Sequence, residues 1–379
     1  MISRMAVIID EAQIRTFLTR RAEAVFPSLN QALTCFKKGK PLRIYWGIDP
    51  SRPEIHIGHT ISLLWLKELA ALGHKPILLI GDFTAQIGDP TGKDATRPAL
   101  TEEQIRENMK TYLEQAEKII PRENFDVEYN SKWLKPMSFE GVLKLASHLT
   151  VQQMIQRDMF QERLKQERPI YLHEFLYPLM QGFDSVALET DGELGGSDQT
   201  FNMLVGRSLE RALIKKEKLV FTTPLLVNPN GKKMSKSEGE IIALTDEPQE
   251  IRRKILLFPD GYIKTIFTLC TEKDIAWIEE QAKKQEPRQL KEMLADELVR
   301  MYHGDEATTE AREPIEVPSG APLAQSLKVW GATTTISAGK DIITSGGVTV
   351  NEKKEADWNY LPKAGDKIQV GKGKFYKVK

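Results

Sequence analysis

Residues 43–59 read RIYWGIDPSRPEIHIGH, a short apolar run followed by a proline-rich turn and the start of a helix. The apolar run, residues 43–49, predicts a buried strand. Residues 60–72 are rich in Leu, Ile and Ala and stop at Gly73, which predicts a helix that ends there. In an open α/β sheet, ligands bind beyond the carboxyl ends of the strands. We therefore expect a ligand site in the turn between this strand and this helix.

The residues His56, Gly58 and His59 at this helix start are suited to a nucleotide. A helix start offers free N–H groups and the positive end of a dipole to anions. Gly58 has no side chain, so a flat base can approach the backbone closely. Two imidazoles three residues apart can hydrogen-bond phosphate oxygens as charge develops there. The alternative interpretation is an exposed helix start with no ligand.

Further apolar runs of strand length alternate with helical stretches over the first 230 residues or so. They lie at 76–83, at 126–130, near Glu193 and Leu194, and at 219–227. Alternating strands and helices indicate a parallel sheet with helices on both faces. We expect this α/β domain to span residues 1–238.

The composition is that of a folded protein with more than one domain. Of 379 residues, 41% are hydrophobic and 28% are charged, and the formal net charge is zero, so no overall positive field indicates a nucleic-acid partner. No apolar run approaches the ~20 residues that span a bilayer, and the first residues make a poor signal peptide, so we expect no membrane partner. The two cysteines, Cys35 and Cys270, are typical of a reducing cytoplasm and do not favour a cysteine-rich zinc site.

The second part of the chain has a different pattern. Apolar residues at helical spacing predict a small helical domain over residues 239–312. A polar, proline-containing segment follows, and we predict a linker at residues 313–320. Residues 321–379 contain ten Lys, no Arg and five acidic residues, which makes this tail basic.

A second motif follows the last predicted strand. An Asn-Gly turn leads into Lys232-Lys233-Met234-Ser235-Lys236-Ser237. A loop of small residues and lysines can close over a triphosphate and open again. Lysine is a mobile point charge suited to the charge that develops on pyrophosphate. A solvated basic loop is the alternative.

The two motifs, in this order and about 175 residues apart, resemble the signatures of the class I aminoacyl-tRNA synthetases. The resemblance implies a Rossmann-like parallel-sheet catalytic domain that uses ATP as a substrate, with Mg²⁺. It implies that catalysis is carried by His56, His59, Lys93, Arg97, Lys233 and Lys236. It implies ATP contacts from Asp49, Ser51, Gly58, Gly196, Asp198, Lys233, Lys236 and Ser237.

The segment around Tyr177, Gln181 and Asp184 narrows the substrate. These residues are spaced i, i+4 and i+7, so they share one face if the segment is helical. Pro178 predicts the first helical turn at that point, with Tyr177 at the cap. An ordinary amphipathic helix with its polar side in solvent is the alternative.

This Tyr-x-x-x-Gln-x-x-Asp element resembles that of the tyrosyl-tRNA synthetases. The resemblance implies that Tyr177 and Gln181 bind the substrate ammonium and that Asp184 binds its phenol hydroxyl, with Tyr45 as the second hydroxyl partner. A site built to bond a hydroxyl is left with unpaired buried groups when phenylalanine enters.

Two loops extend the resemblance. Gly195-Gly196-Ser197-Asp198-Gln199 implies that Gly196 and Asp198 hold the ribose of ATP and that Gln199 lies near the tyrosine carboxylate. A tight turn that caps the next helix fits the same residues. The loop that begins at Ile87 implies that Asp89 fixes the tyrosine ammonium and that Lys93 and Arg97 reach the pyrophosphate, with solvent-exposed charge as the alternative for these two.

The chain departs from the family pattern at a few positions. Trp46 stands where many relatives have a small residue beside the nucleotide, and Thr200-Phe201 replaces Trp-Gly. Both departures look like features of a second subgroup of bacterial enzymes.

The basic tail, residues 321–379, resembles the S4 RNA-binding domain, an α+β fold. Its two short helices are expected at 326–332 and 335–345, and a turn at Gly346-Gly347 is expected to lead into a strand. Lysines at four positions are candidates for phosphate contacts: Lys328, Lys340, Lys353 and Lys354. A tail that only solubilises the chain is the alternative.

The resemblance as a whole implies a cytoplasmic homodimer that joins L-tyrosine to tRNA(Tyr) with ATP, using the helical domain to bind the anticodon stem. Three other functions fit the sequence less well. A tryptophanyl-tRNA synthetase shares the fold but has no hydroxyl to recognise. A catalytically inactive RNA-binding protein has no need of intact signatures. A small-molecule adenylating enzyme has no use for the helical domain and the basic tail.

Overall fold

The structure, a computed structural model, describes residues 6–91, 100–226, 241–371 and 374–379. The chain divides into two compact units, Met1–Met234 and Ser235–Lys379.

The first unit is built on a six-stranded sheet in the order β1-β6-β5-β2-β3-β4. Its strands are β1 (Ala24–Phe26), β2 (Arg43–Ile48), β3 (Lys75–Ile80), β4 (Asp126–Tyr129), β5 (Gly192–Gly196) and β6 (Leu219–Thr223). All neighbours are parallel except β1, which pairs antiparallel with β6 at the edge. The predicted parallel sheet is confirmed, and β1 is an addition that the sequence did not indicate.

The sheet order creates a crevice beside β2. The chain proceeds from β2 to β3 and β4 on one side, then returns to place β5 and β6 on the other. Helices that leave β2 and β5 therefore diverge, and the carboxyl ends of these two strands border an open space. Within the ladder that joins β2 and β5, Tyr45 lies opposite Glu193.

Helices surround this sheet. They are α1 (Glu11–Arg20), α2 (Leu29–Phe36), α3 (Ile57–Ala71), α4 (Thr84–Ile87), α5 (Glu102–Met109), α6 (Tyr112–Glu117), α7 (Ser131–Leu134), α8 (Phe139–Ala146), α9 (Val151–Ile155), α10 (Asp158–Lys165), α11 (Leu172–Leu188) and α12 (Thr200–Ile214). The predicted helix after the first motif is α3, and Gly73 follows it with φ +84°, a conformation that favours glycine. Trp65 of α3 is fully buried and packs on Phe17 and Phe221, which fixes α3 on the sheet.

Helix α11 begins earlier than predicted. Pro178 lies in its interior rather than in its first turn, so Tyr177 is inside the helix and not at its cap. An interior proline removes one backbone hydrogen bond, here the bond to the carbonyl of Glu174. The helix start is held independently, because the Glu174 carboxylate accepts a hydrogen bond of 2.9 Å from the Tyr171 N–H. Tyr177, Gln181 and Asp184 therefore all lie within one helix.

The second unit has helices first and a small mixed sheet afterwards. Its helices are α13 (Pro248–Leu257), α14 (Ile263–Cys270), α15 (Ile275–Lys284), α16 (Pro287–His303), α17 (Glu306–Glu310), α18 (Leu323–Val329) and α19 (Ile336–Thr344). Its strands are β7 (Ile315–Val317), β8 (Val348–Val350), β9 (Lys353–Lys354), β10 (Lys367–Val370) and β11 (Lys374–Val378), in the order β7-β11-β10-β8-β9. The two predicted tail helices and the strand after Gly346-Gly347 correspond to α18, α19 and β8.

The segment predicted as a linker, residues 313–320, instead contains β7. This strand pairs parallel with β11, and Val317 is buried against the small sheet. Prolines at 314 and 318 flank the strand, where the missing N–H removes no ladder bond within it. The backbone of β11 would otherwise be an unpaired edge, so pairing outweighs the polar character of the segment.

Within the described ranges, no helix combines the length and the apolar character that crossing a membrane requires.

Candidate active site

Asp184 is a buried carboxyl group on α11, 3% exposed. The indole Nε1 of Trp133 donates to its Oδ1 at 2.7 Å, and the Asn130 amide donates to its Oδ2 at 3.3 Å. Burial raises the pKa of Asp184 well above its usual range, although these two hydrogen bonds favour the ionised form. A buried carboxyl that two donors hold in place is suited to bond a hydroxyl that enters beside it.

Tyr45 lies next to this group but bonds elsewhere. Its ring is fully buried among Ile77, Leu79 and Leu188, and its hydroxyl is 2.8 Å from Ser185 Oγ. Consecutive residues of a helix point about 100° apart, so Ser185 directs this bond away from the Asp184 carboxyl. The structure thus brings the two predicted hydroxyl partners into one region without a bond between them.

Asp49, predicted to bind ATP, contacts the predicted tyrosine side of the site. Its Oδ2 accepts from the Tyr177 hydroxyl at 2.7 Å, and its Oδ1 accepts from Thr84 Oγ1 at 2.8 Å. Burial raises the pKa of Asp49 to about 7, and nearby Asp89 and Asp82 add to this.

A glycine directly after the next strand, β3, makes the position of Asp49 possible. A Cβ at Gly81 would lie 1.9 Å from Asp49 Oδ1 and 2.5 Å from Thr84 Oγ1. No side chain fits there, so Gly81 keeps β3 close enough for the carboxylate and the hydroxyl to meet.

Gln181, Gln199 and Asp89 form a hydrogen-bonded chain through a residue that the sequence did not single out. Asn202, fully buried in α12, donates to Gln181 Oε1 and to Gln199 Oε1, each at 3.0 Å. Gln199 Nε2 donates in turn to Asp89 Oδ2 at 2.6 Å. Thr91 donates to Asp89 Oδ1 from its N–H at 2.9 Å and its hydroxyl at 2.6 Å. The chain fixes which end of each amide is the acceptor.

The histidines of the first motif are ordered by the helix start itself. His56 is the N-cap of α3, and its Nδ1 accepts from the Gly58 N–H at 3.1 Å. His59 Nδ1 accepts from the His56 N–H at 3.2 Å, and the two rings stack with centroids 3.8 Å apart. In the neutral form each ring therefore carries its proton on Nε2, which makes that atom a donor suited to phosphate oxygens. Trp46 packs beside them, 5.9 Å from His59 between ring centroids.

Gly58 leaves space for the His56 ring. A Cβ at Gly58 would lie 3.0 Å from the His56 ring, so the small residue first makes room for the imidazole. Gly196 ends β5 and has a similar relation to Asp198, whose Oδ1 would be 2.6 Å from a Cβ at Gly196. Ser51 is exposed, and its N–H donates to the Asp49 carbonyl at 2.7 Å.

The remaining predicted catalytic and ATP-binding residues lie outside the described residues: Lys93, Arg97, Lys233, Lys236 and Ser237.

In the second unit the four lysines predicted to bind RNA are exposed. Lys328 and Lys340 lie on α18 and α19, and β9 consists of Lys353 and Lys354. The Lys340 ammonium lies over the Trp358 ring, 5.3 Å from its centroid.

Sequence reasoning missed the residues that orient the predicted site residues through hydrogen bonds, directly or through one another. These are Asn130, Trp133, Ser185, Glu193, Asn202 and Lys218. Asn130 had a usable signal, because it directly follows a strand of the parallel sheet. The others belong to elements whose neighbours depend on the sheet order.

Comparison with known proteins gives one consistent result. The family model for class I tRNA synthetases (W and Y) matches residues 37–316. The tyrosine--tRNA ligase of Carboxydothermus hydrogenoformans is 40% identical, with 98% of each chain covered. That of Burkholderia thailandensis is 42% identical and covers 90% of this chain and 88% of its own.

Solved structures agree on the fold. The tyrosyl-tRNA synthetase of Archaeoglobus fulgidus, solved with L-tyrosine, has a TM-score of 0.64 at 23% identity, with 80% of this chain and 99% of that chain covered. A C-terminally truncated mitochondrial tyrosyl-tRNA synthetase from Coccidioides posadasii has a TM-score of 0.64 at 24% identity, covering 82% and 92%.

Proposed function

This chain belongs to the tyrosine--tRNA ligases, class I aminoacyl-tRNA synthetases that activate tyrosine with ATP and charge tRNA(Tyr), and we propose that α11 is the element that recognises tyrosine. Tyrosine lies along its polar face, with the phenol at Asp184 and the ammonium near Tyr177, Gln181 and Asp89. The observation that carries this proposal is the buried Asp184 carboxyl held by Trp133 and Asn130.

Rejection of phenylalanine follows from the same group. When phenylalanine enters, Asp184 loses the partner that the substrate hydroxyl supplies, and the carboxyl remains buried. Leaving a buried polar group without a partner costs about 1–3 kcal/mol, and more if the group is charged. Tyr45 shapes this end of the pocket through its buried ring.

The chemistry is attack of the tyrosine carboxylate on the α-phosphorus of ATP, which gives tyrosyl-adenylate and pyrophosphate. A terminal ribose hydroxyl of the tRNA then takes the tyrosyl group, which breaks the bond to the adenylate phosphate and releases AMP. Positioning and electrostatic stabilisation suffice for such a displacement, so no protein nucleophile is proposed. Nε2–H groups of His56 and His59 bond phosphate oxygens. We propose that Lys93, Arg97, Lys233 and Lys236, which lie outside the described residues, supply positive charge to the leaving pyrophosphate.

ATP and Mg²⁺ bind at the ends of β2 and β5. The nucleotide contacts are proposed at Ser51, Gly58, Gly196, Asp198 and Ser237. Among the described residues no group of three or more His, Cys, Asp or Glu could hold a metal ion alone. We propose that phosphate oxygens and water are the main ligands of Mg²⁺, as it prefers, and that the ion neutralises part of the triphosphate charge.

Binding of tRNA is proposed for the second unit. Its helices from residue 248 to residue 303 form the anticodon-stem domain of residues 239–312. The S4-like tail, residues 321–379, presents the exposed lysines of α18, α19 and β9 to phosphates.

A cytoplasmic homodimer is proposed as the working form. Large apolar side chains on α8, α9 and α11 are more than half exposed, and they offer a face for a second copy: Phe139, Leu143, Val151 and Leu172. Sedimentation of the protein should give a dimer, and Leu172→Lys with Phe139→Lys should give a monomer. A wild-type monomer at micromolar concentration would contradict the proposal.

Pyrophosphate exchange into ATP tests the tyrosine site. Wild type should exchange with tyrosine and not with tryptophan, and Asp184→Asn should lower the preference for tyrosine over phenylalanine at least tenfold. An unchanged preference in a folded Asp184→Asn variant would remove Asp184 from the phenol site.

A further inference from the structure

A buried ion pair lies beneath the tyrosine pocket. Lys218, just before β6, and Glu193, in β5, are 1% and 2% exposed, and the ammonium of Lys218 is hydrogen-bonded to Glu193 Oε2. Removing two charges from water is so unfavourable that such a pair is weak evidence for stability. The presence of this pair in the interior therefore needs a reason other than stability.

The neighbouring helix α12 is shaped around this pair. A Cβ at Gly206 would lie 2.5 Å from Lys218 Nζ and 2.9 Å from Ser185 Oγ. Lys218 Nζ donates to Ser185 Oγ at 2.6 Å, and the Tyr45 hydroxyl lies 2.8 Å from the same oxygen. The ammonium is thus held between the carboxylate and a group that contacts Tyr45.

The other oxygen of Glu193 reaches the proposed substrate site. Glu193 Oε1 accepts a hydrogen bond of 3.1 Å from Gln181 Nε2. Asn202 Nδ2 donates to Gln181 Oε1 at 3.0 Å. An amide has one donating end and one accepting end, so the Glu193 carboxylate, together with the Asn202 N–H, determines which end of Gln181 is which. The Gln181 oxygen, which keeps a second lone pair, is thereby an acceptor on the side away from Glu193.

We infer that Glu193 and Lys218 are positioning residues for tyrosine: the pair orients the Gln181 amide so that its oxygen receives the substrate ammonium. The inference rests on the proposed role of Gln181 in binding that ammonium. Lys218 occupies Oε2 of Glu193, which leaves Oε1 as the acceptor for Gln181.

The substitution Glu193→Gln separates orientation from packing. The Lys218 ammonium would take the oxygen of the new amide, so the NH₂ end would face Gln181 Nε2. Two donors facing each other would make Gln181 turn over and present its NH₂ group to the substrate ammonium. The double variant Lys218→Met/Glu193→Gln releases the amide oxygen, which can then accept from Gln181 Nε2 again.

Pyrophosphate exchange at saturating ATP is the test. We expect Glu193→Gln to raise KM for tyrosine at least tenfold while KM for ATP stays within twofold. The double variant should bring KM for tyrosine back to within threefold of wild type. A purely structural role would make the double variant at least as impaired as the single one.

Glu68→Gln is the matched control. Glu68 accepts from Arg21, a fully buried cation, at 2.5 Å between α1 and α3. The same substitution there should leave KM for tyrosine within twofold. A thermal unfolding transition for each variant shows that the protein compared is folded.

Each result of these comparisons either supports or overturns the inference. A folded Glu193→Gln variant with KM for tyrosine within twofold of wild type, or a double variant no better than the single, overturns the inference. If Glu193→Gln does not fold, Lys218→Met/Glu193→Gln is compared with Lys218→Met/Glu193→Met, which has no acceptor for Gln181. Only the second should raise KM for tyrosine, and equal values overturn the inference.

Gln181→Met separates this inference from the proposed function. It should raise KM for tyrosine, because it removes the ammonium's acceptor. If it does so while Glu193→Gln does not, the orienting role alone fails. If Gln181→Met leaves KM unchanged, the proposed ammonium site fails.

Discussion

Replacing Trp133 by Phe removes one hydrogen bond from the proposed phenol site and little else. The indole N–H lies 2.7 Å from Asp184 Oδ1, and the carboxyl is buried. A hydrogen bond to a charged group is worth about 1.5–3 kcal/mol, and each 1.4 kcal/mol is about tenfold in binding. Trp133 is only half-buried, so water can replace part of the lost bond. We therefore expect the lower end, about a tenfold fall in kcat/KM for tyrosine.

The same substitution has a second expected effect. Losing a donor to the ionised form raises the pKa of Asp184 further above its usual range. Because phenylalanine makes no bond to Asp184, its kcat/KM should change little, so the preference for tyrosine should fall about tenfold. Pyrophosphate exchange with each amino acid in turn measures both values.

Trp65→Phe provides the control for this substitution. Trp65 is fully buried in the same unit, and its Nε1 has no hydrogen-bond partner in the described part of the chain. Removing that N–H should leave the preference for tyrosine unchanged. Equal preferences in Trp133→Phe, Trp65→Phe and wild type would refute the reasoning that Trp133 orients Asp184.

Three further predictions concern buried groups of the first unit. Burial raises the pKa of Asp49 from 3.8 to about 7, so a substrate ammonium that binds nearby should lower this pKa and release a proton. Calorimetry of tyrosine binding at pH 6.5, in two buffers that differ in ionisation heat, should detect this release in wild type but not in Asp49→Asn. Equal heats in the two buffers for wild type would contradict this prediction. Burial also raises the pKa of Glu210 from 4.5 to about 7, so the folded state binds this proton more tightly than the unfolded state and loses stability as pH rises from about 5 to 8. Glu210→Met should flatten that decline, as measured by denaturant titrations at each pH. Parallel curves of unfolding free energy against pH for the variant and wild type would argue against the prediction. Gly81→Ala should raise KM for tyrosine more than tenfold by displacing Asp49, whereas Gly261→Ala, where a Cβ meets nothing within 4 Å, should not.

Local sequence signals predicted those parts of the fold that depend on local physics. Strand β2 and helix α3 were predicted from an apolar run, a turn and a terminal glycine. Strand β1 was missed, because three half-buried residues gain their structure only by pairing with β6. Strand β7 was taken for a linker for the same reason, since its partner β11 lies almost 60 residues further along the chain.

The candidate site shows the same division between local and distant contacts. Helical spacing correctly placed Tyr177, Gln181 and Asp184 on one helix. It could not indicate Trp133 or Lys218, whose contacts join elements that are 51 and 25–33 residues apart in sequence. The sheet order brings these elements together, and no periodicity in one segment encodes that order.

The buried carboxyl groups of Asp49 and Glu193 explain why the proposed pocket is backed by buried polar side chains. Asp49 accepts a hydrogen bond from the Tyr177 hydroxyl, so the Tyr177 oxygen keeps its lone pairs for another donor. Glu193 receives the Gln181 N–H, which leaves the amide oxygen as an acceptor. An ammonium has three donors. In the proposed site, the Asp89 carboxylate accepts in any case, whereas Tyr177 and Gln181 can accept only if their own hydrogens already point elsewhere. In the proposed site, recognition of the substrate ammonium therefore depends on carboxyl groups that need not touch it, because they decide which neighbours accept.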